Sequence, residues 1–212
     1  MDLTPAKTPK VVKSLFPSYI WDLPSEEKVI YLTFDDGPTP NVTQWVLDTL
    51  KAYNAKATFF CIGSNVKKHP QLFQQLIKEG HSVGNHTYKH LKGWKVKTKT
   101  YIEDIELTWK LFSELNVQTK LFRPPYGKLK PKQGRRIQKL GDKVIMWDVL
   151  SFDWSNKTTN EECLNNVLEH TESGSIIVFH DSEKAKNNLM FALPKVLEYF
   201  SKKGFEFKRI EP

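Results

Sequence analysis

Short apolar or β-branched runs recur along the chain, each followed by a segment with helical spacing. VIYLTF (29–34), ATFFCI (57–62), SVGN (82–85), KLFR (120–123), KVIMWDV (143–149), SIIVFH (175–180) and FEFKRI (205–210) read as strands. Several are apolar throughout, the pattern of strands buried on both faces of a parallel sheet. Between them, apolar residues fall on one helical face. Examples are Val42, Val46, Leu47 and Leu50 within 41–53, and Val66, Leu72, Phe73 and Leu76 within 65–79. The segments 99–115 and 188–203 carry the same spacing, and shorter helices are predicted over 131–140 and 159–171. Gly80 and Gly204 stand where helices end, a position that favours glycine.

Strict strand–helix alternation predicts an α/β fold with right-handed crossovers and a parallel sheet of about seven strands. The pattern suits a closed barrel and an open doubly wound sheet alike. Pro5, Pro9, Pro17 and Pro24 predict an irregular N-terminal arm over 1–27, laid across one catalytic domain at 28–212. A chain of 212 residues can bury one full core and is expected to act as a monomer. No run approaches the roughly 18–20 apolar residues that span a bilayer, so no transmembrane segment is expected. The opening residues lack an apolar signal-type core and read as cytoplasmic, or as cell-envelope or secreted if a signal has been trimmed. Cys61 and Cys163 are too few for a disulfide framework.

The net charge is +8, and KLKPKQGRR (128–136) is the densest basic stretch. Solvated faces are the simpler reading, with an anionic polymer or surface as the alternative. No recognition-helix pattern points to nucleic acid as a partner.

The unusual polar residues share one placement. Asp35 and Asp36 follow the first strand, His86 and His90 the third, and Arg123 ends the fourth. Asp153 and Trp154 follow the fifth, and His180 and Asp181 end the sixth. All lie at strand C-terminal ends, the rim on which parallel β/α folds build active sites.

His86 and His90, four residues apart, share a face if they occupy one helical turn. A carboxylate from Asp35 or Asp36 completes a two-histidine, one-carboxylate set with a coordination position left for water. Asp-Asp-Gly-Pro is also ordinary turn composition, and the rim position favours chemistry. A metal of this kind acidifies water, one aspartate can bind it, and the neighbouring aspartate can take the proton. A leaving amine needs a proton, which the remaining rim histidine, His180, can supply with Asp153 orienting it. Arg123 can hold the basic aspartate. His69, His81 and His170 lack such company and read as packing or surface residues.

On these residues the sequence resembles the NodB-like polysaccharide deacetylases, carbohydrate esterase family four. TFDDGP (33–38), HTYKH (86–90), RPPYG (123–127), FDW (152–154) and VFH (178–180) are similar to that family's ordered motifs. The resemblance spans about residues 28–210. It implies a distorted, TIM-like (β/α) barrel that removes N-acetyl groups from N-acetylglucosamine-containing glycans such as chitin oligomers or peptidoglycan. It further implies Asp36, His86 and His90 as ligands of zinc, with cobalt or another divalent transition metal also suited to these donors. Asp35 is then the general base, tethered by Arg123, and His180 the general acid, tuned by Asp153. The Tyr126 backbone N–H serves the oxyanion, and Pro125, Tyr126, Trp154 and Val178 line the substrate site.

Two positions depart from the family pattern. Leu150 stands where the fourth motif normally has a first aspartate, and Val178 stands where the fifth has leucine. The same machinery suits O-acetyl esters of xylan-type glycans, and the loss of a carboxylate at Leu150 leaves a non-catalytic glycan-binding barrel as a further alternative.

Overall fold

The computed structural model describes residues 5–212, so the first four residues of the arm lie outside it. Its strands are β1 (Val29–Asp35), β2 (Ala57–Cys61), β3 (Ser82–Asn85), β4 (Leu121–Phe122), β5 (Lys143–Val144), β6 (Val149–Leu150), β7 (Ile176–His180) and β8 (Glu206–Phe207). Its α-helices are α1 (Lys10–Leu15), α2 (Pro40–Ala52), α3 (Gly63–Lys68), α4 (Pro70–Lys78), α5 (Thr98–Glu114), α6 (Pro131–Lys139), α7 (Asn160–Leu168) and α8 (Lys186–Lys202). Paired strands are parallel and run β5-β4-β3-β2-β1-β7-β6, with β8 added against the start of β1. The sheet curls into a distorted (β/α) barrel. No helix among the described residues is long and apolar enough to cross a membrane.

The two edge strands belong to one stretch of chain. Ile145 N–H donates to Phe122 O on one edge, and Asp148 N–H donates to Ile176 O on the other. The single strand expected over 143–149 therefore breaks into β5 and β6 and bridges the gap between the sheet edges. Ile20 of the arm fills the break. Its N–H donates to Val144 O at 2.9 Å, and its carbonyl accepts from Met146 N at 2.7 Å. Lys7 and Lys13 reach the buried Asp148 carboxylate at 2.6 Å each, which ties the arm to this crossing.

One predicted helix also divides. Residues 65–79 form α3 and α4, parted at His69-Pro70, because proline lacks an N–H and its ring pushes the preceding residue out of the helical region. His69 accordingly stands at φ −131° and ψ 56°.

Alternation along β1 separates core from site. Leu32 and Phe34 pack with α2 and α8, and Phe34 stacks on Phe59 and Phe179 at centroid distances of 5.0 and 6.2 Å. Thr33 and Asp35, on the other face, meet Arg123 inside the barrel. Full burial of each Leu or Phe contributes roughly 1.5–3 kcal/mol. The strands that carry the site are thus anchored on their outer face by the main core.

Candidate active site

β1 delivers two adjacent carboxylates that part immediately. Asp36 sits at φ 80°, in the left-handed region that most side chains avoid. The next residue, Gly37, donates its N–H to Asp181 Oδ1 at 3.0 Å. A β-carbon at Gly37 would collide with the Asp181 carboxylate, so only glycine permits this approach. Thr43 holds the second Asp181 oxygen at 2.5 Å, and Asn65 donates to Asp36 O at 2.8 Å.

The histidine segment is a loop. The helical turn that would set His86 and His90 on one face is absent, since Thr87 and His90 take left-handed φ values of 64° and 53°. Buried side chains impose this course. Asp104 of α5 accepts from Tyr88 N at 2.8 Å and Lys89 N at 3.1 Å, and Asn85 accepts from Thr87 N at 2.7 Å. His86 Nδ1 donates to Arg123 O at 2.8 Å, which leaves the lone pair on Nε2. The loop still achieves the predicted convergence. Asp36 Oδ1 lies 3.6 Å from His86 Nε2 and 3.2 Å from His90 Nε2.

Asp36 Oδ1 is buried and has no hydrogen-bond partner. Such an atom is costly unless something cationic satisfies it. Both facing imidazoles favour the neutral form. Burial holds His86 below the usual histidine range, while burial and the neighbouring His86 push His90 down to about 4. Three donor atoms within 4.8 Å of one another, with two imidazole nitrogens and one carboxylate oxygen, fit a divalent transition metal.

Asp35 takes the opposite partner. Its Oδ1 accepts from Arg123 Nη1 at 2.8 Å, and its Oδ2 lies 4.0 Å from His86 Nε2. Burial alone would raise this carboxyl, but Arg123, with His86 and His180, outweighs it and holds the group below the usual carboxylate range. Arg123 is itself fully buried. It donates to Thr33 Oγ1, Met146 O and Ile145 O, and its guanidinium lies 4.1 Å from the Phe60 ring centre.

Register places Asp35 opposite His180 on β7. His180 Nδ1 meets Asp153 Oδ1 at 2.8 Å, and its backbone N–H donates to Asp153 Oδ2 at 2.7 Å. Burial opposes charge on this imidazole, but Asp153, helped by Asp36 and Asp35, overrides it and raises His180 to about 9. Trp154 lies 4.7 Å from His180, ring to ring. Tyr126 stands at φ 60°, with its ring 4.8 Å from His90, just after the buried Pro125. Val178 is buried two residues before His180, hence on the same strand face, and pairs in register with Leu150. Leu150 brings an apolar side chain to that wall.

His81 packs edge-on to Phe59, 5.4 Å between centroids, away from this cluster. In the sequence, Thr33 is a motif position and Asp181 a rim residue, neither with an assigned role, and Asp104 goes unnamed. Asp104 carried a signal, being acidic on the apolar face of its helix beside Ile105.

The geometry now has counterparts. The polysaccharide deacetylase family model matches residues 22–145, more than half the chain. A peptidoglycan-N-acetylglucosamine deacetylase of Bacillus cereus is 36% identical over 189 residues, 88% of each chain. Chitin deacetylase 2 of Saccharomyces cerevisiae is 35% identical over 172 residues, 78% of this chain and 54% of that one. The crystal structure of a peptidoglycan N-acetylglucosamine deacetylase bound to 4-naphthalen-1-yl-N-oxidanyl-benzamide superposes with a TM-score of 0.86 at 33% identity, covering 91% of both chains. With a family model across its first strands and like-sized relatives across nearly its whole length, the chain belongs to the NodB-like polysaccharide deacetylases of carbohydrate esterase family four.

Proposed function

We propose that this chain is a metal-dependent hydrolase that removes the acetyl group from N-acetylglucosamine units of glycans. The observation that carries the reading is the unpartnered Asp36 Oδ1 facing two imidazole Nε2 atoms, beside a separately anchored carboxylate and a carboxylate-bound imidazole. The names of the relatives point to the same bond.

Asp36, His86 and His90 would hold the cation, which when bound supplies Lewis acidity, acidifying water and polarising a carbonyl. Asp35 is the general base: Arg123 keeps it ionised and fixes one oxygen, so the other is left to take the proton of the attacking water. Water oxygen adds to the acetyl carbon, and the Tyr126 backbone N–H stabilises the oxyanion. His180 has Nδ1 committed to Asp153, so Nε2 gives its proton to the glucosamine nitrogen as the C–N bond breaks. Acetate and the free amine leave. Trp154, Val178 and Pro125 wall the acetyl methyl.

Acetate release from N-acetylchitooligosaccharides and peptidoglycan fragments tests the proposal, before chelation, after it, and after adding back zinc or cobalt. Activity should vanish with the metal and return with it. No release from any N- or O-acetyl glycan, with metal demonstrably bound, would overturn it.

A further inference from the structure

The rim beside His90 carries a charge that the chemistry above does not use. Residues 86–102 hold five lysines and no carboxylate, and residues 124–139 hold six basic side chains and no carboxylate. The fold joins the two segments. Gln133 Nε2 donates to Gly93 O at 2.9 Å, and Lys130 Nζ donates to Val96 O at 2.7 Å. Two aromatic rings lie at the seam, Trp94 and Tyr126, edge to face with centroids 5.3 Å apart. Tyr126 is 48% exposed and touches His90, so the platform starts at the candidate metal site.

Lys92 and Lys128 flank this platform. Lys92 Nζ lies 5.3 Å from the Tyr126 ring centre, and Lys128 Nζ lies 5.5 Å from that of Trp94. Both lysines are exposed, and among the described residues neither ammonium has a carboxylate partner. Some surface lysines find carboxylates, as Lys110 finds Glu114 and Lys202 finds Glu198, whereas Lys92 and Lys128 lie over rings. A cation over a ring face keeps its N–H donors free for an incoming anion. The arrangement thus presents two positive charges and two aromatic rings, one of them in contact with His90.

We infer that Lys92, Lys128, Trp94 and Tyr126 form a subsite for a carboxylate-bearing sugar residue next to the one being deacetylated, so that the chain selects acidic N-acetylated glycan strands over neutral ones. This rests on the deacetylase reading for its substrate, while its charge argument is independent of turnover. The rings take up the apolar face of a sugar, and the two ammonium groups pair with its carboxylates. The attraction is screened by salt because the site is open.

The test uses the metal-loaded protein and its Lys92→Gln/Lys128→Gln double variant, with two probes: peptidoglycan strand fragments bearing free carboxylates, and neutral N-acetylchitohexaose. Binding is measured by calorimetry, and turnover by acetate release. For the acidic strand, the double variant should show Kd and KM raised about tenfold. The rise for chitohexaose should be several-fold smaller, and kcat should move little on either. Raising salt should weaken only the wild-type preference for the acidic strand. Equal losses on the two probes, or no wild-type preference for the acidic one, would overturn the subsite. Lysine-dependent binding of the acidic strand without acetate from either probe would instead sink the deacetylase reading and leave the subsite standing.

Discussion

The Arg123 guanidinium lies 2.8 Å from the Asp35 carboxylate, and both side chains are buried inside the barrel. The guanidinium keeps the carboxylate ionised against burial. In an Arg123→Gln variant, burial becomes the dominant influence on Asp35 and its carboxyl rises. The acid limb of the pH–kcat/KM profile should therefore move to higher pH, with kcat lowered by about 10²-fold or more at neutrality. Urea denaturation should show a loss of about 3 kcal/mol, because one buried charge is left alone. An unmoved acid limb would separate Arg123 from the base.

Asp153 is the counterpart on the acid side. It is the main group raising His180 to about 9, against burial. The imidazole is thus charged below that pH and loses its proton as pH rises through it, so activity should fall on the alkaline side. Asp153→Asn removes the charge, lets burial dominate and should carry the alkaline limb downwards. His180→Ala should cost about 10²–10⁴-fold on N-acetyl substrates, and less on acetate esters, whose leaving groups need less protonation.

Asp181 acts through the turn that presents Asp36. Gly37→Ala would drive a methyl into the Asp181 carboxylate and displace the Asp36 backbone. Metal affinity, measured by competition with a chelator, should fall about 10–100-fold. Affinity equal to wild type would show that the turn tolerates the methyl without moving Asp36.

His81 ties stability to pH. It is buried, and its Nδ1 accepts from Ala57 N at 3.1 Å. Burial, with Lys56 and Arg209 nearby, lowers it to about 4 from an ordinary 6.5. The unfolded chain therefore binds a proton more readily, so this contribution is complete above pH 6.5 and is lost as pH falls towards 4. The full span is about 3 kcal/mol. Urea midpoints should drop between pH 7 and pH 4.5, and His81→Asn, which keeps an acceptor for Ala57, should flatten that drop.

Much of this was legible in the chain. Short apolar runs located the strands and period-3.6 patterning the helices, because burial on both faces or on one leaves a local signature. Gly80 and Gly204 marked helix ends and do take positive φ, 84° and 77°. The rim residues could be named because each follows an apolar strand in sequence. Tertiary structure decided the rest. Whether 143–149 is one strand or two depends on which sheet edges it meets, a non-local fact that no apolar run records. His86 and His90 converge through buried contacts with Asp104, Asn85 and Arg123 rather than through helical spacing, which the letters alone suggested. Likewise, KLKPKQGRR reads as plain solvated charge until the fold lays Lys128 over Trp94. Local sequence dictates what a segment buries, but only the closed chain determines which buried or charged groups meet.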